Sequence, residues 1–198
     1  NMFGLDSKQI GARKCAVKEI EAKTKNEFLN KYHIQGSDNY SQIKIGSFYN
    51  DELIAAMTFS APRKSLGQKN RKDVYELVRF ATIPDTSTPG LASKMLQYFI
   101  RNYSPIEIYS YADRRWSQGN LYEKMGFSDK KFTGVNYWYS KSIEREHRFK
   151  YRKNQLKKIF PGIFDKKKTE KQIMDEAGYL RIYDCGNWKY TWRANEIQ

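Results

Sequence analysis

The sequence predicts an α/β (α+β) domain that ends in a basic helical appendage, and three observations lead there. Along the first 140 residues, β-rich runs and segments of helical spacing follow one another in mixed order. Hydrophobic residues at 39% and aromatics at 15% can build a core despite 29% charged residues, which excludes a globally disordered chain. Lysine and arginine outnumber aspartate and glutamate by 36 to 22. Residues 141–198 hold 15 basic and 8 acidic side chains against 21 and 14 before them, so the last 58 residues carry half of the +14 charge. This divides the chain into a core, residues 1–140, and an appendage, residues 141–198, packed on it.

Each element has its own signal. Residues 13–21 (RKCAVKEIE) alternate enough for a strand, and Thr24 is placed to cap a helix over 25–32 whose Phe28 and Leu29 share a face. Two β-rich runs, 42–49 and 52–60, flank Asn50-Asp51, a pair that tolerates the left-handed backbone of a tight hairpin. After a basic loop, 62–72, residues 74–82 (VYELVRFAT) read as a third long strand. The stretch 84–90 (PDTSTPG) breaks regular structure, and 91–103 show helical spacing at Leu91, Met95 and Phe99. A strand at 106–111, a short helix at 120–125 closed by Gly126 and an aromatic strand at 131–140 complete the order β-α-β-β-β-α-β-α-β. In the appendage the pattern predicts a basic helix over 144–159, a break at Pro161-Gly162, a helix over 170–177 and a closing strand over 179–192 interrupted by Gly186.

Several classes are excluded. No run of 18 apolar residues occurs, and residues 1–11 lack the basic-then-apolar order of a signal peptide, so a cytoplasmic protein without a membrane segment is expected. Cys15 and Cys185 stand far apart outside any CxxC pair, which argues against a disulfide framework and a zinc knuckle. There is no GxSxG, HExxH or Walker loop, and no carboxylate string that would make a nuclease. Neither His33 nor His147 has a second ligand at metal spacing, so no metal site is expected from the sequence.

The loop 86–93 (TSTPGLAS) joins a strand to a helix. Its small residues let backbone N–H groups approach a phosphate and the helix start adds its positive end; an ordinary turn is the alternative. Downstream, residues 119–127 (GNLYEKMGF) resemble the helix-and-turn signature of the GNAT acetyltransferases, in which an Asn precedes a Leu-Tyr-Glu-Lys-x-Gly-Phe run. The resemblance implies a mixed, mostly antiparallel central sheet flanked by helices. It implies acetyl-CoA or a related CoA thioester, its pyrophosphate cradled by Ser87, Gly90, Ala92 and Ser93, with Asn120 opening the signature helix. Tyr122 then resembles the tyrosine that protonates the departing thiolate, a role its pKa near 10 permits; a packing tyrosine is the alternative.

Three other segments, 110–117 (SYADRRWS), 31–36 (KYHIQG) and 181–187 (RIYDCGN), resemble a phage-associated group related to the Mom DNA-modification protein, whose members occur beside or fused to homing endonucleases. This implies a GNAT fold redirected to the amino group of adenine in DNA, a partner nuclease, and the cytoplasm of a bacterial or phage-infected cell.

Within these segments Asp113 follows a strand, where it can serve as general base or accept an exocyclic amine, with Arg114 or Arg115 on phosphate and Trp116 as a stacking plane. An Asp–Arg pair that ends the strand is the competing reading. His33, beside Gly36, can accept a proton or bind a metal. Arg79, mid-strand, pairs with Glu76 or Asp113 or faces a ligand cleft. Residues 148–158 (RFKYRKNQLKK) bring Arg148, Lys150, Arg152, Lys153, Lys157 and Lys158 together with interleaved aromatics, which suits DNA or a solvated helix face. The leading reading is a transferase that modifies a DNA base; the alternatives are a catalytically silent DNA-binding module and, less favoured because so basic a surface is needless for a small amine, a conventional N-acetyltransferase.

Overall fold

The computed structural model describes residues 8–62 and 71–194. Most of the loop read at 62–72 and the start of the chain lie outside them. The chain forms two compact units, one of Asn1–Ala112, Ser117–Lys131 and Trp188–Gln198, the other of Asp113–Trp116 and Phe132–Asn187. The packing thus divides elsewhere than the charge does: residues 132–140 go to the second unit, and those from Trp188 on return to the first.

The first unit is built on a sheet of seven strands in the order β2-β3-β4-β5-β7-β12-β8. These are β2 (Ala16–Glu19), β3 (Ile43–Tyr49), β4 (Glu52–Ser60), β5 (Val74–Thr82), β7 (Glu107–Asp113), β8 (Asp129–Phe132) and β12 (Asn187–Arg193). Strands β2 to β5 pair antiparallel, while β5 and β7 pair in parallel. The β3–β4 hairpin turns on Asn50 and Asp51 at φ 49° and 63°, the two-residue left-handed turn their side chains tolerate.

Two helices sandwich this sheet. Ala56 pairs with Ala81, and on their face these small side chains let Phe28 and Leu29 of α1 (Ala22–Tyr32) come close. The opposite face presents Met57, Phe59 and Leu77 to Leu91, Met95 and Phe99 of α2 (Leu91–Tyr103). There the Phe59 and Phe99 rings stack 3.7 Å apart. The architecture is a mixed α/β fold with a mostly antiparallel central sheet flanked by helices, as expected. A further two-residue ladder joins β1 (Lys8–Gln9) to β6 (Thr86–Ser87) in parallel. Neither β1 nor β6 has a sequence signal, because two residues carry no periodicity.

In the second unit, β9 (Tyr137–Ser140) lies between β10 (Arg145–His147) and β11 (Leu180–Tyr183). Tyr139 on this sheet packs with Tyr151, with Leu156 of α4 (Lys153–Ile159), and with Ile173 and Met174 of α5 (Glu170–Glu176). Thr169 caps α5 in a reciprocal capping box with Gln172.

Four sequence expectations change. The strand over 13–21 shortens to β2, because Ala12–Lys14 turn as a 3-10 helix. Helix α1 starts three residues before 25, with Thr24 inside it and Glu21 at the cap. The strand over 131–140 breaks at Gly134, φ 79°, and its halves join different sheets. The helix over 144–159 does not form as one piece: Arg145–His147 pair with β9, Arg148–Tyr151 make a 3-10 turn, and extended Arg152 separates them from α4. Among the described residues no helix is long and apolar enough to cross a membrane.

Candidate functional site

A cavity of about 1110 Å³ opens where β5 ends and α2 begins. That is just above the usual range for ligand clefts, roughly 300–1,000 Å³. Ser87, Gly90, Ala92 and Ser93 all line it, so the loop read from the sequence does bound a cleft. Gly90 sits at the helix N-cap with φ 78°, a left-handed conformation that suits glycine. No side chain caps α2, and its first turn carries no acid. The Leu91 N–H donates to Thr88 O at 3.1 Å, while the N–H groups of Ala92 and Ser93 have no intrahelical acceptor and keep their positive end. Lys124 of α3 (Asn120–Lys124) and Lys31 of α1 add two cations to the lining and Asp85 one carboxylate.

Next to the cleft the central strands part. The β5–β7 ladder covers three residue pairs, ending at Glu76 and Tyr109, and both strands then run on. On the other side of β5 the register with β4 passes from Leu77 to Arg79 in one step of the partner strand, so Val78 is the extra residue of a bulge. Ser110 bridges the parting strands, its Oγ donating to Leu77 O at 2.8 Å. A hydroxyl has one proton, so the Tyr122 hydroxyl, 3.0 Å from the same Oγ, is the donor of that pair. Burial pushes the Tyr122 pKa up. Tyr122 also stacks on Tyr190 at 4.8 Å, the contact that the packing reading of this residue expects.

Tyr122, His33 and Asp113 are not among the residues that line the cleft. His33 ends α1, and its Nδ1 accepts from the Gln35 N–H at 3.1 Å, which leaves the proton of the neutral ring on Nε2. Burial, then the charge of Arg79, lower its pKa to about 4, with Asp38 opposing, so the ring is uncharged at neutral pH. Arg79 donates to Gly36 O at 3.3 Å and Val78 O at 3.0 Å, tying the loop after α1 to the bulge. Asp113 is held by Arg115 through Nε at 3.1 Å and Nη2 at 2.5 Å, and by the Arg115 N–H at 3.0 Å. These bonds keep its carboxyl below the usual range, which makes it a weak base. The Asp–Arg pair is thus present at the strand's end. Asn120 is exposed at the start of α3, outside the cleft lining.

The basic candidates lie in the second unit. Arg114 donates to Cys185 O at 3.0 Å and lies over Phe132, and Trp116 is 66% exposed. Arg145, Trp138, His147, Phe149 and Arg152 form a continuous ladder of cations and rings, with successive separations of 5.1, 4.8, 4.5 and 4.1 Å. Arg148 stands over Tyr137 and Phe149. Lys157 and Lys158 are exposed on α4, while Lys153 donates to Lys166 O at 2.8 Å. The stretch is less free of acid than its own sequence indicates, because Glu146 of β10 pairs with Lys150 and Tyr151.

Lys31, Tyr32, Phe80 and Thr82 escaped the sequence reading of the cleft. The alternation of β5 placed Phe80 and Thr82 on one face, but only the tertiary fold brings the end of α1, Lys31 and Tyr32, to the same cleft. Lys124 was within the quoted signature and had a legible place there.

No protein-family model and no curated protein matches the chain. Among solved structures the chain is similar to a protein assigned as a phosphinothricin N-acetyltransferase, with a TM-score of 0.50, 11% identity, and coverage of 92% of this chain and 99% of the other. It is also similar to a GNAT family acetyltransferase from Elizabethkingia anophelis with acetyl-CoA bound, with a TM-score of 0.46, 14% identity and coverage of 91% and 98%. At these identities the likeness is one of fold alone.

Proposed function

We propose that the chain is an N-acetyltransferase that uses acetyl-CoA and a conventional amine acceptor. The observation that carries this reading is the cleft at the uncapped start of α2, in a fold of GNAT type. The residues present fit a CoA pyrophosphate. Ser87, Gly90, Ala92 and Ser93 offer small side chains and helix-start N–H groups, and Lys124 adds a cation on the facing helix. When bound, acetyl-CoA supplies an activated acetyl carbonyl and a thiolate leaving group.

The chain's own groups supply the rest. The bulge at Val78 takes backbone polar groups out of the β4 ladder, where an N–H can polarise a carbonyl oxygen. Tyr122 holds its hydroxyl proton at neutral pH, the state a proton donor needs. Neither base read from the sequence is free in this state: the one lone pair of the neutral His33 ring is engaged by the Gln35 N–H, and Asp113 is bound up by Arg115. Calorimetry with acetyl-CoA, followed by thiol-release assays over a panel of primary amines, tests the reading. Binding with amine-dependent thiol release is expected, and no heat at millimolar acetyl-CoA sinks it.

A second reading keeps the Mom-like resemblance, with adenine in DNA as acceptor, or a catalytically silent module that holds DNA for a partner nuclease. The cation and aromatic ladder of the second unit favours it, since charge neutralises phosphate and rings stack on bases. The likeness to acetyltransferases supports the conventional acceptor better. Each phosphate contact adds about 0.9 to the salt slope on duplex DNA, so replacing Lys157 and Lys158 by glutamine should flatten it by about two. A wild-type affinity indifferent to salt removes DNA as partner, and nucleoside mass spectrometry separates the modifying enzyme from the silent module.

A further inference from the structure

Residues 8–15 touch both sides of the junction between the donor loop and α2. Lys8 and Gln9 pair with Thr86 and Ser87, and the Ile10 N–H donates to Ser87 O at 2.9 Å. The chain then turns through Ala12–Lys14 beside the helix start, where a Cβ on Gly90 would stand 3.7 Å from the Ala12 Cβ. Ile10 and Cys15, each 2% exposed, pin the segment into the core at both ends of the turn. One side chain of α2 holds it: Lys94 Nζ donates to Ala12 O at 3.0 Å and to Cys15 O at 2.6 Å. Half-burying an ammonium costs desolvation that a methionine of similar length would avoid, so packing alone does not account for a lysine there.

The loop is gripped by the β1–β6 ladder and the helix by Lys94, and both grips belong to one short segment. We infer that residues 8–15 are a strap that fixes the donor loop against α2, with Lys94 as the positioning residue that latches it. The inference rests on the acetyl-CoA reading above. The strap sets the angle between loop and helix, and so decides whether the N–H groups of Ala92 and Ser93 converge on one anion. Its effect should therefore fall on the phosphate end of the donor and spare the thioester end.

The test compares acetyl-CoA with acetyl-pantetheine, which lacks the pyrophosphate, by calorimetry on the full chain. Misplacing a binding group by a fraction of an ångström is costly, so Lys94→Met should weaken acetyl-CoA about tenfold, leave acetyl-pantetheine within about twofold, and be restored to within about threefold by Lys94→Arg. Equal weakening of both ligands, or none, overturns the inference. Should Lys94→Met not fold, Ile10→Pro, which removes the N–H donated to Ser87, must give the same selective loss or the strap is refuted. A wild type that binds no acetyl-CoA refutes the donor reading and the strap with it, whereas wild-type binding with an unaffected Lys94→Met refutes the strap alone.

Discussion

Replacing Gly119 with alanine is expected to destabilise the protein by about 3 kcal/mol, through left-handed strain of roughly 1–2 kcal/mol and overpacking of roughly 1–3. Gly119 sits at φ 90°, and a Cβ there would lie 1.8 Å from the Tyr190 hydroxyl and 2.3 Å from Cζ. The ring cannot easily yield: Tyr190 is fully buried, stacks on Tyr122, and donates from its hydroxyl to Gln118 O at 3.0 Å. In a chain of this size such a loss lowers Tm by about 6–12 °C, which calorimetry or circular dichroism resolves. The control is Tyr190→Leu, which removes the obstructing atoms. In that background Gly119→Ala should cost only the backbone strain, about 1–2 kcal/mol. An unchanged cost would mean that the tyrosine is not what the glycine accommodates.

The second large effect concerns the donor site and uses two side chains of the same shape. Asparagine and aspartate both tolerate the left-handed backbone that Gly90 adopts, and they differ by a charge. Gly90→Asp puts a carboxylate at a helix start where the proposed donor brings its phosphates. Two like charges a few ångströms apart near a protein surface repel by about 2–4 kcal/mol, so Gly90→Asp should bind acetyl-CoA at least about 30-fold more weakly than Gly90→Asn. Titration calorimetry on the pair decides it. Equal affinities would place the phosphates elsewhere.

What the sequence disclosed and what it withheld follow from the range of each signal. Strand β5 and helix α2 were read at their observed bounds because nine and thirteen residues of clean alternation or helical spacing decide their own conformation. The β3–β4 hairpin was equally local, fixed by Asn50 and Asp51. The stretch 144–159 has good helix formers, yet β9 recruits Arg145–His147 into a ladder, a tertiary demand that overrides propensity. The candidate site divides in the same way. Ser87, Gly90, Ala92 and Ser93 are contiguous and were found together, while Lys31, from a helix some sixty residues earlier, joins them only through the sheet. The Asp113–Arg115 pair was written in the sequence two residues apart, but only geometry could show that it occupies both carboxylate oxygens.

The order of strands in the large sheet bears on how the protein is made. Strands β2, β3, β4 and β5 leave the ribosome in the order in which they pair, and β7 joins them soon after. The next place in the sheet belongs to β12, which lies between β7 and β8 but comes latest in the sequence. Roughly seventy residues must be synthesised between β7 and β12, which takes on the order of 4–15 s at ordinary translation rates. Through that interval β7 presents an open edge, and β8, already made, has no neighbour to pair with. Unpaired edges recruit other chains. The nascent protein therefore passes through a stage, several seconds long, in which crowding of neighbouring nascent chains is a hazard and a holding chaperone an advantage, and the residues of β12 end it by inserting between two strands that are already there.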